Sequence, residues 1–182
     1  MITISFLAGE LLFAGIWLLL RIIIWIRNRR IDWKHEALLL LMFINLAVII
    51  RMIFFPMYRV DGKIQPLVID IAAISPLRVN LTPFVYLFDY DIRREMLLNI
   101  IGNVTVFIPT GIILPILYWK LNSFWKVVGM GALISLAIEI IQLLISTRAS
   151  DIDDLILNTL GVAIGYGIYA LIRGLRNRPR RN

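Results

Sequence analysis

Three aspartates, an arginine, a glutamate, a glutamine and an asparagine meet at the junction of two apolar stretches in SLAIEIIQLLISTRASDIDDLILNTLG, residues 135–161. Glu139 and Gln142 are three residues apart and share one helix face, and Asp154 and Asn158, four apart, share another. A short turn carrying Arg148, Asp151 and Asp153 joins the two faces. Carboxylates and amides in this arrangement bind hydroxyl or ammonium groups. A carboxyl group desolvated among apolar residues also suits general acid or base work, which makes Glu139 the candidate catalytic residue. Asp151, Asp153 and Asp154 offer hard oxygen ligands to a divalent cation such as Mg2+ or Ca2+. That signature is weak, because aspartates at a helix N-terminus usually cap it.

The elements that must position these groups follow from composition. A chain of 182 residues, 60% of them hydrophobic, with mean hydropathy +0.84, cannot bury so much apolar surface in one small soluble core. It reads as an all-α, polytopic membrane bundle forming one domain over 1–182. Roughly 20 apolar residues cross the hydrocarbon layer, and five such spans fit, at 2–26, 36–55, 95–118, 125–146 and 154–173. The first is too long for a signal peptide, carries Glu10 and Arg21, and has no small-residue cleavage site after it, so it is expected to be retained. An ionisable side chain inside a membrane helix costs at least ~2.5 kcal/mol on insertion scales. Glu139 therefore needs a partner or a wet cavity.

The residue inventory excludes several chemistries. Cysteine is absent and His35 is the single histidine, so no thiolate nucleophile, structural zinc cluster or Ser-His-Asp triad can be built from this chain. The net charge of +7 is concentrated at Arg27, Arg29, Arg30 and Lys34, at Lys120 and Lys126, and in the basic tail 174–182. By the positive-inside rule those segments are cytoplasmic, with the N-terminus outside and the C-terminus inside. Anionic headgroups, not nucleic acid, are the expected neighbours of the tail.

With that orientation the 56–94 connection is extracytoplasmic. It holds Pro66, Pro76 and the aromatic series Phe84, Tyr86 and Phe88, an interface anchor or a ledge for sugar or lipid. Asn99 and Asn103 fall in the outer half of the third span, above Pro109, Gly111 and Pro115, where a kink is expected. Gly161, Gly165 and Gly167 give the last span a close-packing face. Glu10, Asn99, Asn103, Glu139, Gln142 and Asn158 all lie in the outer half, and of the 12 acidic residues only Asp32 and Glu36 fall on the cytoplasmic side. An outward-facing acidic and amide pocket is the expectation, with an inner half too bare for a complete conduction path.

The motifs NLTPF at 80–84, NIIGNVTVFIPTG at 99–111, SLAIEIIQ at 135–142 and RASDIDDLILNTLG at 148–161 together resemble the VanZ-like family, over the span 80–161. The resemblance implies an envelope membrane protein and, for the founding member, an association with resistance to the glycopeptide teicoplanin. It implies Asn99, Asn103, Pro109, Glu139, Gln142, Arg148, Asp151, Asp153, Asp154 and Asn158 as functional positions.

Three functions fit. The first is a binding module for membrane lipid, a lipid-linked cell-wall intermediate or a lipoglycopeptide, needing no cofactor. The second is an enzyme modifying an envelope lipid through Glu139. The third is a lipid transporter or scramblase. The orientation is directly testable in a chain without cysteine: Ser150→Cys should react with an impermeant thiol reagent from outside and Asn122→Cys only from inside, and the reverse pattern would invert the topology.

Overall fold

The computed structural model describes residues 1–55, 59–60, 62–70, 78–84, 93–145 and 149–176. They cluster into two compact units, Met1–Asn80 with Glu139–Ser150, and Leu81–Ile138 with Asp151–Asn182. Five helices are long and apolar enough to cross a membrane: α1 (Phe6–Asn28), α2 (Trp33–Phe54), α3 (Arg93–Leu117), α4 (Phe124–Gln142) and α5 (Ile152–Arg176). The 23 residues of α1 reach about 34 Å at ~1.5 Å per residue, enough for a hydrocarbon layer of ~30 Å. Leu7 and Leu11 on one side of α1, and Ile16, Leu20 and Ile23 on the other, are exposed, as befits a helix surrounded by lipid.

In the first unit, the chain begins with a strand and not a helix. Strand β1 (Ile2–Ile4) pairs antiparallel with β4 (Leu67–Ile69) in the register Ile2 to Ile69, Thr3 to Val68 and Ile4 to Leu67. Ser5 then caps α1, its Oγ accepting from Ala8 N at 3.2 Å, so the first span starts four residues later than hydropathy predicts. Asp32 caps α2 in the same way, accepting from Lys34 N and His35 N. Between the two caps, Phe13 stacks on Phe43, and Trp17 tilts against the same ring. Arg21 is buried and paired with Glu36: Nε donates to Oε2 at 2.9 Å, and Nη2 donates to Oε1. A buried guanidinium needs such a bidentate partner to offset its desolvation.

The rest of this unit closes the ends of its helices. A two-residue hairpin, β2 (Arg59–Val60) with β3 (Lys63–Ile64), follows α2. Helix α4 stops at Gln142, short of the predicted 146, because Leu143 and Leu144 turn and Ile145 bridges to Ile69. Arg78 Nη2 donates to Ile145 O at 2.8 Å, and Ser150 N donates to Arg78 O at 2.9 Å. These bonds satisfy backbone groups of the chain beyond the helix.

In the second unit, α3 and α5 pack backbone against backbone. A Cβ added at Gly161 would lie 2.2 Å from Val104 O, at Gly165 2.1 Å from Ile108 O, and at Gly111 2.1 Å from Val162 O. Only glycine permits that approach. The matched pairs rise together along both chains, so α3 and α5 run parallel, as they must if α4 returns between them. Helix α3 continues through Pro109 and Pro115 as one element. Gly167, grouped with the packing face by sequence, meets nothing within 4 Å. It lies off the seam because two residues beyond Gly165 turn the helix by about 200°. Phe107, Val127 and Val162 fill the core and are fully buried.

Gly161→Leu and Gly165→Leu should each abolish the folded protein in detergent, as read by size-exclusion profile and thermal unfolding. Gly167→Leu, facing open space, should unfold within a few degrees of wild type.

Candidate functional site

The start of α5 organises the polar groups of the second unit. Asp151 lies immediately before the helix, and its Oδ1 accepts from Asp153 N at 2.9 Å, an N-cap. Asp153, only 4% exposed, turns its carboxylate to the NLTPF segment, where both oxygens accept from Phe84 N at 2.9 and 3.2 Å. Phe84 follows Pro83 and sits in the left-handed region at φ 63°, a strained position for an aromatic residue. The charged acceptor on its N–H offsets that strain, so Asp153 fastens a turn.

Asp154, one residue on, points to α3. Asn103 Nδ2 donates to Asp154 Oδ1, and Asn99 Oδ1 lies 3.5 Å from the same nitrogen, one turn along α3. All three side chains are half-buried. Asn158 is one turn deeper on the Asp154 face and wholly buried, its Nδ2 donating to Ser135 Oγ at 3.0 Å. Its Oδ1 is buried with no hydrogen-bond donor among the described residues. An unmet buried acceptor costs about 1–3 kcal/mol. Thr159 instead turns its hydroxyl to Leu155 O within its own helix at 2.7 Å.

Glu139 and Gln142 belong to the first unit. They are 4% and 3% exposed, and Gln142 Oε1 has no donor among the described residues. Arg148, Tyr86 and Phe88 lie outside the described residues. The bonds above therefore join Asn99, Asn103 and Asp154, and set Asn158 beside them along α5. As for a cation, both Asp153 oxygens accept from Phe84 N and Asp151 Oδ1 accepts from Asp153 N. No group of three or more acidic or histidine side chains among the described residues could hold a metal.

Sequence reasoning missed Ser135, although the hydroxyl stands in the SLAIEIIQ motif four residues before Glu139. It also missed the Phe84 N–H as the partner of Asp153. Backbone partners leave no mark in side-chain patterning.

Comparison with known proteins places the chain in a family. The family model described as VanZ/LLP1 matches residues 12–173. Protein VanZ of Enterococcus faecium is 31% identical over 118 residues, covering 65% of this chain and 68% of that protein. No solved structure gave a significant match. With five membrane-length helices and a family match that runs from α1 into the last turn of α5, the chain is a multi-pass membrane protein and belongs to the VanZ/LLP1 family.

Proposed function

We propose that this protein is a binding module of the cell envelope, taking the polar headgroup of an envelope lipid, a lipid-linked cell-wall intermediate or a lipoglycopeptide at the outer ends of α3 and α5. The observation that carries the reading is the bond from Asn103 to Asp154, which gathers two amides and a carboxylate at a half-buried place between membrane helices. A carboxylate offers about four acceptor sites, so Asp154 can hold Asn103 and a ligand hydroxyl or ammonium together. The unmet Asn158 Oδ1 one turn below extends the acceptor series inward. The surrounding bilayer accepts the ligand's acyl chain.

Cations crowding the connectors and tail support an outward orientation for this end. A teicoplanin-like molecule carries both a lipid anchor and donor-rich sugars, and kinship with Protein VanZ supports a contribution to teicoplanin-type resistance. Glu139 and Gln142, buried in the first unit, are read as further binding residues. The burial of Glu139 also favours a second reading, a lipid-modifying enzyme with that carboxyl as acid or base.

Native mass spectrometry of purified protein incubated with extracted envelope lipids and, separately, with teicoplanin distinguishes these readings. Wild type should carry an unchanged ligand mass that Asp154→Asn and Glu139→Gln weaken at least tenfold, while Asp32→Asn, which keeps its helix cap, binds as wild type. A new product mass formed only by wild type would establish the enzyme instead. Equal binding by all four proteins, or none by wild type, would overturn the proposal.

A further inference from the structure

The other ends of α3 and α5 carry a second polar feature of opposite sign. Past Leu117 the chain makes a one-turn 3-10 segment, Trp119–Leu121, before α4 begins at Phe124. Trp119, Lys120, Asn122, Lys126 and Arg173 line a shallow, open hollow of about 570 Å3. The Arg173 guanidinium lies over the Trp119 ring, 5.0 Å from its centroid, and Nη1 donates to Tyr169 Oη at 3.3 Å. Lys126 Nζ donates to Lys120 O at 3.1 Å, which holds one ammonium beside the other lysine's backbone. Three cations thus face one hollow, and the arginine is oriented before any ligand arrives.

Among the described residues of the second unit, no acidic side chain lines the hollow. The sequence has no aspartate or glutamate between residues 96 and 138, nor anywhere after Asp154. Asp154 itself is 19 residues from Arg173 along α5, about 28 Å at ~1.5 Å per residue. The hollow also lies among the aromatic residues that mark a membrane interface: Trp119, Trp125, Tyr166 and Tyr169, with Phe124 edge-on to both Trp125 and Tyr166. That level of a bilayer is occupied by lipid phosphates.

We infer that this hollow is a binding site for the phosphodiester headgroup of an anionic phospholipid. Arg173 supplies a planar fork of donors matched to phosphate oxygens. Lys120 and Lys126 supply the point charges, and the Asn122 amide can meet a headgroup hydroxyl. The site is separate from the acidic and amide group at the start of α5, and its chemistry is opposite: cations here, acceptors there.

The test uses the full-length protein in detergent, with lipid retention read by native mass spectrometry. The probes are phosphatidylglycerol, phosphatidylethanolamine with the same acyl chains, and inorganic phosphate. Wild type should retain phosphatidylglycerol at least tenfold over phosphatidylethanolamine, and millimolar inorganic phosphate should not displace it. Lys126→Gln and Arg173→Gln should each weaken retention about fivefold, the share expected of one interfacial cation. Arg176→Gln, exposed in the last turn of α5 and outside the hollow, should leave it unchanged. Equal retention of the two lipids would overturn the inference, and so would a loss in Arg176→Gln as large as in Arg173→Gln, which would mean diffuse charge only. Displacement by inorganic phosphate would assign the hollow to free phosphate instead of lipid. Lys126 is an exposed side chain, so its variant keeps the test decisive if Arg173→Gln misfolds.

Discussion

The closeness of two backbones sets everything else in the second unit. Where Gly161 and Gly165 of α5 meet Val104 and Ile108 of α3, a single methyl group would collide with a carbonyl oxygen at little more than 2 Å. In lipid there is no hydrophobic force to press helices together, so such contact must come from packing and from hydrogen bonds between helices. The glycine seam supplies the packing and fixes a parallel register. That register holds the first turn of α5 against the N-terminal part of α3, where Asn103 reaches Asp154. It also leaves the last turns of both helices side by side, where Trp119 meets Arg173.

The charge distribution along this pair follows helix electrostatics. Asp153 and Asp154 occupy the first turn of α5, Arg173 and Arg176 its last, each sign at the end of the helix dipole that favours it. Asp151 and Asp153 use their carboxylates structurally, as a cap and as a clamp on the Phe84 turn. Asp154 instead reaches across to an amide. Neighbouring aspartates in one short motif thus do different work, and only the direction of each side chain separates them.

Hydropathy alone made the five helices legible, because a backbone in lipid has to satisfy its own hydrogen bonds and so declares itself as a long apolar run. The GxxxG spacing of Gly161 and Gly165 likewise announced a close contact, though not that α3 would be its partner. The ends of the helices were not legible. Ile2–Ile4 and Leu143–Ile145 are as apolar as the spans beside them, and what removes them from the helices is pairing with Leu67–Ile69 and Ile69, far away in sequence. For the same reason the Arg21–Glu36 pair was hidden: an arginine near a membrane surface reads equally well as snorkelling or as paired until the antiparallel register of α1 and α2 is known. Within the site, the residue types of Asn99, Asn103, Asp154 and Asn158 were visible, while the bond that joins Asn103 to Asp154 required the seam.

The central claim is that the Asn103–Asp154 pair is kept to bind a ligand and not to hold α3 against α5. Replacing both members with leucine separates the two roles, since apolar replacements relieve the desolvation of polar groups kept for a ligand, whereas a pair that holds the helices together would be missed by the fold. The decisive measurement is the thermal unfolding temperature of the Asn103→Leu, Asp154→Leu double variant, taken on the same sample as its retention of envelope lipids. The account predicts an unfolding temperature at or above that of wild type together with loss of the bound ligand. A variant that unfolds many degrees lower, or one that keeps the ligand, would contradict it.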